Sequence, residues 1–218
     1  MKEHYQKTER FFDRVAFEKK GYFDSPRSLP FLVQKKIREK TLFFIKDYQL
    51  ESILDAGCGR GDFTAILARN FKNAEVIGLD FSLETLNLAR DSFRRLSNLE
   101  FRQADLLKLP FPDRRFDLVI CLNTIHHITS QDLEMVVAEL SRVSGQMVVL
   151  EFKNSQSLAW PLYKILFKKS NPGISCSGTT FKDLIDLFGR YGFSLKENYS
   201  IFKWRILSPN VLMVFKRK

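Results

Sequence analysis

The segment Asp55-Ala56-Gly57-Cys58-Gly59-Arg60-Gly61-Asp62 sets two carboxylates around three glycines spaced two apart. Glycine lacks a Cβ, so it takes positive φ at little cost and lets a ligand approach the backbone closely. The apolar pair Ile53-Leu54 just before it reads as a strand covered on both faces, and a helix from about Phe63 to Phe71 follows. The N–H groups of that helix's first turn point into the glycine turn and favour an anionic group there. Asp55, two residues before the first glycine, suits a ligand that carries a cationic amine. A dinucleotide fingerprint wants G-x-G-x-x-G, whereas this chain has G-x-G-x-G with Asp62 where the third glycine would stand, a poor neighbour for a pyrophosphate.

In an open α/β sheet, ligands bind beyond the carboxyl ends of the strands. That rule selects Gly57–Gly61, Asp80, Asp105, Asn123 and Glu151. Asp80 ends an apolar strand and lies 19 residues past Gly61, where an acidic side chain accepts from ribose hydroxyls. An ordinary alternative is an N-cap for the next helix, a task Ser82 can perform instead. Asp105 is placed to accept from an adenine amino group, or else sits in a surface turn. His126 and His127 follow the fourth strand in the run Asn123-Thr124-Ile125-His126-His127. Imidazole titrates near neutral pH and could take a proton from an acceptor; equally, each ring could cap the loop or bond to backbone.

The elements that position these groups alternate. Strands are expected near 51–56, 74–80, 99–103, 116–122 and 146–152, with helices near 62–71, 83–95 and 131–143 between them. Single helices between strands, with short loops, specify a parallel sheet of βαβ units. Two N-terminal helices, about 5–20 and 31–46, precede the sheet, the first closed by Gly21 and the two joined by a turn-rich linker from Ser25-Pro26 to Pro30. The second is expected to turn Leu32, Ile37, Leu42 and Phe43 or Ile45 to the core. The stretch 153–178 reads as irregular, 180–191 as a helix, and 193–218 as an antiparallel hairpin on the sheet edge.

At 218 residues and 44% hydrophobic content the chain is expected to form one globular domain. Its polar N-terminus lacks an apolar signal region, and no run reaches the roughly 18 apolar residues of a membrane span, so a cytoplasmic protein is expected. Cys58, Cys121 and Cys176 lack zinc spacing and read as reduced thiols, with no metal site expected. The net charge of +10 is unevenly spread: +5 over 1–50, −4 over 51–152 and +9 over 153–218. Basic flanks steer an anionic substrate, RNA or a membrane surface, or are simply a solvated lysine-rich face. The segment Leu158–Lys169 mixes aromatic, aliphatic and lysine residues, as an acceptor-pocket wall, a membrane-touching surface or a helix packed on the core would.

The pattern Leu54-Asp55-Ala56-Gly57-Cys58-Gly59-Arg60-Gly61 resembles the first motif of class I S-adenosylmethionine-dependent methyltransferases. Val76–Ser82 with Leu86–Arg90 resembles their second. Ala104-Asp105-Leu106, Leu109-Pro110-Phe111 and Phe116–Val119 resemble their third and fourth. The resemblance covers about residues 50–195. It implies a Rossmann-like, mostly parallel seven-stranded α/β sheet with helices on both faces and an antiparallel last strand. It also implies contacts to S-adenosylmethionine at Asp55, Gly57, Cys58, Gly59, Gly61, Asp80, Phe81, Asp105, Leu106 and Asn123. Within that superfamily, Val149-Leu150-Glu151-Phe152 followed by Pro161, Tyr163, Phe167 and Pro172-Gly173-Ile174 resembles the ubiquinone and menaquinone C-methyltransferases. The chain departs from them in lacking a Tyr-Asp-x-Met-Asn segment after Ala16 and in carrying Ser208-Pro209-Asn210 where they have a glycine-rich strand.

The expected organisation is a lid or cap (1–48), a cofactor-binding core (49–152) and an acceptor-side segment with helix and hairpin (153–218). The expected activity is methyl transfer to a small acceptor, lipophilic or anionic, with His126 or His127 as the base where a proton must leave. Two alternatives stand beside it. One is methylation of a modified tRNA base, since some such enzymes carry a similar Ile-His-His run. The other is a non-catalytic cofactor-binding subunit of a partner.

Overall fold

The computed structural model describes residues 3–17, 29–171, 174, 176–202 and 205–218. Gly21, Ser25-Pro26 and Pro172-Gly173 lie outside the described residues.

Five strands of the expected series form: β1 (Ser52–Ala56), β2 (Glu75–Asp80), β3 (Leu99–Gln103), β4 (Phe116–Cys121) and β5 (Ser144–Lys153). Two more, β6 (Phe193–Ser200) and β7 (Asn210–Arg217), close the chain. The seven make one sheet in the order β3-β2-β1-β4-β5-β7-β6. The pairings from β3 through β5 are parallel, and β7 runs antiparallel to both β5 and β6. Strand order reverses between β1 and β4, which pair directly, and an open α/β sheet offers its binding crevice at such a switch point.

Side-chain alternation gives the sheet two apolar faces. Leu54, Ile77, Val119 and Val148 face α5 (Leu133–Val143) and α7 (Phe181–Arg190), which contribute Val136, Leu140, Leu184 and Phe188. Ile53, Val76, Leu118 and Met147 face α2 (Leu29–Ile45) and α3 (Asp62–Asn70), which contribute Ile37, Ile45, Phe63 and Leu67. α4 (Leu83–Phe93) packs Leu86 and Ala89 on Phe101 of β3. Ser82 caps it, accepting from the Thr85 amide, and Thr180 opens α7 with a reciprocal capping box to Asp183.

Two expectations are corrected. In α2 the buried stripe is Gln34, Ile37, Thr41 and Ile45, whereas Leu32 and Phe43 are exposed. Polar residues turn inward there because each has a partner: Gln34 reaches Glu151 on β5, and Thr41 donates to the Ile37 carbonyl. The stretch 153–178 is not irregular throughout, since α6 (Trp160–Ser170) forms within it with Pro161 in its first turn, where a missing N–H costs nothing. α1 (Glu3–Phe17) crosses over the C-terminal ends of the strands. Its Tyr5 hydroxyl donates to Asp132 (2.8 Å), and its Asp13 carboxylate accepts from the Ser82 hydroxyl (2.6 Å).

Candidate active site

All three glycines of the turn have positive φ, at 81°, 54° and 75°, but for different reasons. A Cβ on Gly57 would stand 2.4 Å from the Thr124 side chain, and one on Gly61 would stand 2.5 Å from the Phe101 ring. Those two let β4's loop and β3 close on the turn. A Cβ on Gly59 meets nothing within 4 Å, so the backbone opens to a ligand at that point. The Gly57 and Cys58 amides both donate to the Leu79 carbonyl (2.7 and 2.9 Å), locking the turn to the tip of β2. The Cys58 side chain packs with Leu86, Ala89 and Phe101, and burial raises its thiol pKa well above the usual value.

Asp80 is buried at the end of β2. It accepts from the Gly59 amide (2.9 Å) and the Ser82 amide (3.0 Å), and burial raises its pKa against those hydrogen bonds. Asp55 lies beneath the turn, 3% exposed, and accepts from the Thr64 hydroxyl (2.7 Å). Burial lifts its pKa to about 6, opposed by the Thr64 bond and by Arg38. Phe81 is half-buried, Leu106 is buried, and Asp105 is exposed, accepting from the Leu107 amide (2.9 Å). Arg142 holds the loop that carries Asp105 and Leu106, donating to the Leu109 and Phe111 carbonyls. A backbone opening at Gly59 beside the Asp80 carboxylate, with a second buried carboxylate below, fits a nucleoside bearing hydroxyls and a cationic amine.

Asn123 follows β4 with φ 53°, a left-handed conformation that costs a non-glycine residue about 1 kcal/mol and that Asn tolerates best. Glu151 holds it there by accepting from the Asn123 amide (3.1 Å). Glu151 also accepts from Gln34 (3.2 Å) and from the Lys153 ammonium (2.8 Å). Lys153, 2% exposed, donates further to Asn123 and Asn210. Burial, the largest single influence, would lower the Lys153 pKa; the Glu151 charge and hydrogen bond, together with Tyr163 and Cys176, outweigh it, so the pKa is raised and the group stays cationic. Glu151 was legible as a strand tip. Lys153, Gln34 and Asn210 were not, because nothing local marks a lysine two residues further on, or residues on α2 and β7, as its partners.

The two histidines occupy a single 3₁₀ turn, Ile125–His127, with ring centroids 4.0 Å apart. His126 is buried, its Nδ1 has no hydrogen-bond partner among the described residues, and its carbonyl accepts from the Ser177 amide. Burial, then His127 and Lys153, push its pKa far below the imidazole range, so the ring is neutral and weakly basic. His127 is half-buried in an aromatic row. Phe12 of α1 meets both Phe81 (6.1 Å) and His127 (5.2 Å). On the other side His127 meets Phe167 of α6 (5.9 Å), which stacks on Tyr163 (6.1 Å), which stacks on Trp160 (5.8 Å). The row runs from the tip of β2 across the turn after β4 to α6.

Residues 53–145 match the family described as methyltransferase domain. A demethylmenaquinone methyltransferase from Bacillus licheniformis is 32% identical over 160 residues, 70% of this chain and 68% of that protein. A fatty-acid O-methyltransferase from Mycolicibacterium smegmatis is 30% identical over 141 residues, 61% of this chain and 51% of that one. The solved magnesium protoporphyrin IX methyltransferase from Synechocystis, with bound S-adenosylhomocysteine, shares the fold at a TM-score of 0.66 and 20% identity, over 98% of this chain and 94% of that one. The fold and site define a nucleotide-cofactor enzyme, and the chain belongs to the class I S-adenosylmethionine-dependent methyltransferases, in the ubiquinone- and menaquinone-methyltransferase-like group. S-adenosylmethionine is its cofactor. Among the described residues no helix is long and apolar enough to cross a membrane, and no cluster of metal-ligating side chains occurs.

Proposed function

We propose that this methyltransferase acts on a small lipophilic acceptor with a flat or ring-shaped reacting end. The aromatic row Phe81–Phe12–His127–Phe167–Tyr163–Trp160 carries this reading. Rings bury large apolar area and stack on planar partners, and this row starts at the cofactor cradle. The curated relatives support it through their names, which specify a demethylated menaquinone and a fatty acid as acceptors.

The residues named for S-adenosylmethionine divide the work. The backbone at Gly59 and the Asp80 carboxylate would hold the ribose side, Asp55 the amine side, and Phe81, Asp105 and Leu106 the adenine side. Gly57, Gly61 and Cys58 shape the turn, and Asn123 sits between the cofactor space and the acceptor. The bound sulfonium supplies an activated methyl group, so the protein's task is alignment and exclusion of water. α1, reaching Asp132, Ser82 and Phe81, would serve as the lid. Where the acceptor must lose a proton, His127 is the base of choice, since burial makes His126 a weak base.

A labelled-methyl assay against lipid extract, water-soluble metabolites and RNA fractions, side by side, tests the reading. Label is expected in the lipid fraction. Label only in RNA would overturn it in favour of the tRNA-base reading, which rests on the basic flanks and the Ile-His-His run.

A further inference from the structure

The outward face of α6 is apolar where a solvated helix is polar. Trp160, Tyr163 and Phe167, spaced three and four apart, turn toward the site. The opposite face presents Leu162, Ile165 and Leu166, which are 60%, 66% and 52% exposed. Leu158, 69% exposed, extends this surface beyond the helix start, and its amide donates to the carbonyl of Ile206, itself 57% exposed. Lys164, Lys168 and Lys169 are exposed among them. From Lys153 to Lys182 the sequence holds five lysines and no acidic residue.

Three occupants could cover such a face, and the chemistry separates them. A second copy packed two-fold would bring this lysine cluster against itself, with no acidic residue within 153–182 to pair it. RNA would match the lysines, but the large exposed apolar residues of α6 and Leu158 before it are aliphatic and offer no ring for a base to stack on. A bilayer with anionic headgroups matches both halves: aliphatic side chains enter the acyl boundary while lysines stay at phosphate level.

We propose that α6 docks this enzyme on an anionic membrane surface through Leu158, Leu162, Ile165 and Leu166, with Lys168 and Lys169 as the electrostatic contribution. The inference rests on the lipophilic-acceptor reading and extends it. One face of α6 lies in the bilayer boundary while its other face, through Tyr163 and Phe167, walls the acceptor site. A lipid-tailed acceptor then reaches the methyl donor along the helix without crossing water.

Flotation with vesicles of phosphatidylcholine alone, and of phosphatidylcholine with phosphatidylglycerol, tests it. The full chain is expected to float with the anionic vesicles and to be released by high salt. Lys168→Glu/Lys169→Glu is expected to weaken that binding roughly tenfold or more, and Leu162→Ser/Ile165→Ser to weaken it comparably. S-adenosylhomocysteine titration of each variant reports folding, and unchanged affinity is expected because none of these side chains belongs to the cofactor cradle. Three results would overturn the proposal: no flotation of the wild-type chain, equal flotation with neutral vesicles, or a solution dimer that Leu162→Ser/Ile165→Ser converts to monomer. Transfer of label to lipid in the assay above, with no flotation, would sink the docking surface and leave the lipophilic acceptor standing.

Discussion

Asp55 and His126 show how burial decides what a titratable side chain can do. The native pKa of Asp55, about 6, lies above its ordinary value of 3.8, because burial penalises the charge more than the Thr64 bond and Arg38 relieve it. The folded protein therefore holds this proton more tightly than the unfolded chain does. Stability that Asp55 leaves intact at low pH is lost as pH rises from about 4 to about 6, by about 3 kcal/mol at most. Asp55→Asn is expected to remove that loss, so that urea midpoints of the two proteins diverge between about pH 4 and about pH 7, with the Asn variant the more stable at the upper end. The same carboxylate ionises more readily beside a cationic amine. Calorimetry should find that S-adenosylhomocysteine binds more tightly to the wild-type chain as pH rises through this range, a trend absent from the Asn variant. For the histidines, His127→Gln is expected to lower turnover by about a hundredfold or more and to alter the pH–rate profile where a proton leaves the acceptor. His126→Gln, which replaces a ring already neutral, should leave the shape of the profile unchanged. Identical profiles for the wild type and both variants would mean that neither ring is the base.

At the scale of elements, β5 ties the turn after β4 to α2. Glu151 alone bonds to the backbone of the β4 loop, to α2 and to Lys153. Glu151→Gln removes the charge but nearly preserves the shape, leaving Lys153 cationic and buried without its counter-ion. A loss of about 3–5 kcal/mol in unfolding free energy is expected. Combining it with Lys153→Met should recover most of that loss, and urea unfolding of the two singles and the double closes the cycle. Equal destabilisation in the Glu151 single and the double would show that the ion pair is not the cause.

The sequence made this sheet legible because the buried strands β2 and β5 read as apolar runs that reach carboxylates at Asp80 and Glu151. α6 was obscured because apolar residues lie on two opposite faces, with Leu162, Ile165 and Leu166 outward and Tyr163 and Phe167 inward, so no one-sided stripe stands out. In α2 the inward stripe carries Gln34 and Thr41, whose partners lie on β5 and on the helix's own backbone. Polarity pointed those side chains to water, and only the fold supplies the bonds that bring them in.

Across the whole molecule, α1 is the element whose attachment bridges the two halves of the site. Tyr5 binds Asp132 just before α5, Asp13 binds Ser82 before α4, and Phe12 touches Phe81 and His127 together. These contacts span the strand order's point of reversal, so a ligand that fills the cradle also backs the surface on which α1 rests. Whatever binds only the docked arrangement stabilises it by mass action. Amide exchange over residues 5–14 is therefore expected to slow on addition of S-adenosylhomocysteine, while exchange in the sheet core changes little. Phe12→Ala removes the ring that links β2 to the histidine turn, and it is expected to weaken S-adenosylhomocysteine binding about tenfold, about 1.4 kcal/mol. Tyr5→Phe, which takes away the bond to Asp132 and the one from the Thr129 amide, should raise α1 exchange without altering the aromatic row. If α1 exchanged at the same rate with and without ligand, the helix would be a fixed wall of the fold, and the route by which cofactor enters would have to lie elsewhere along the strand tips.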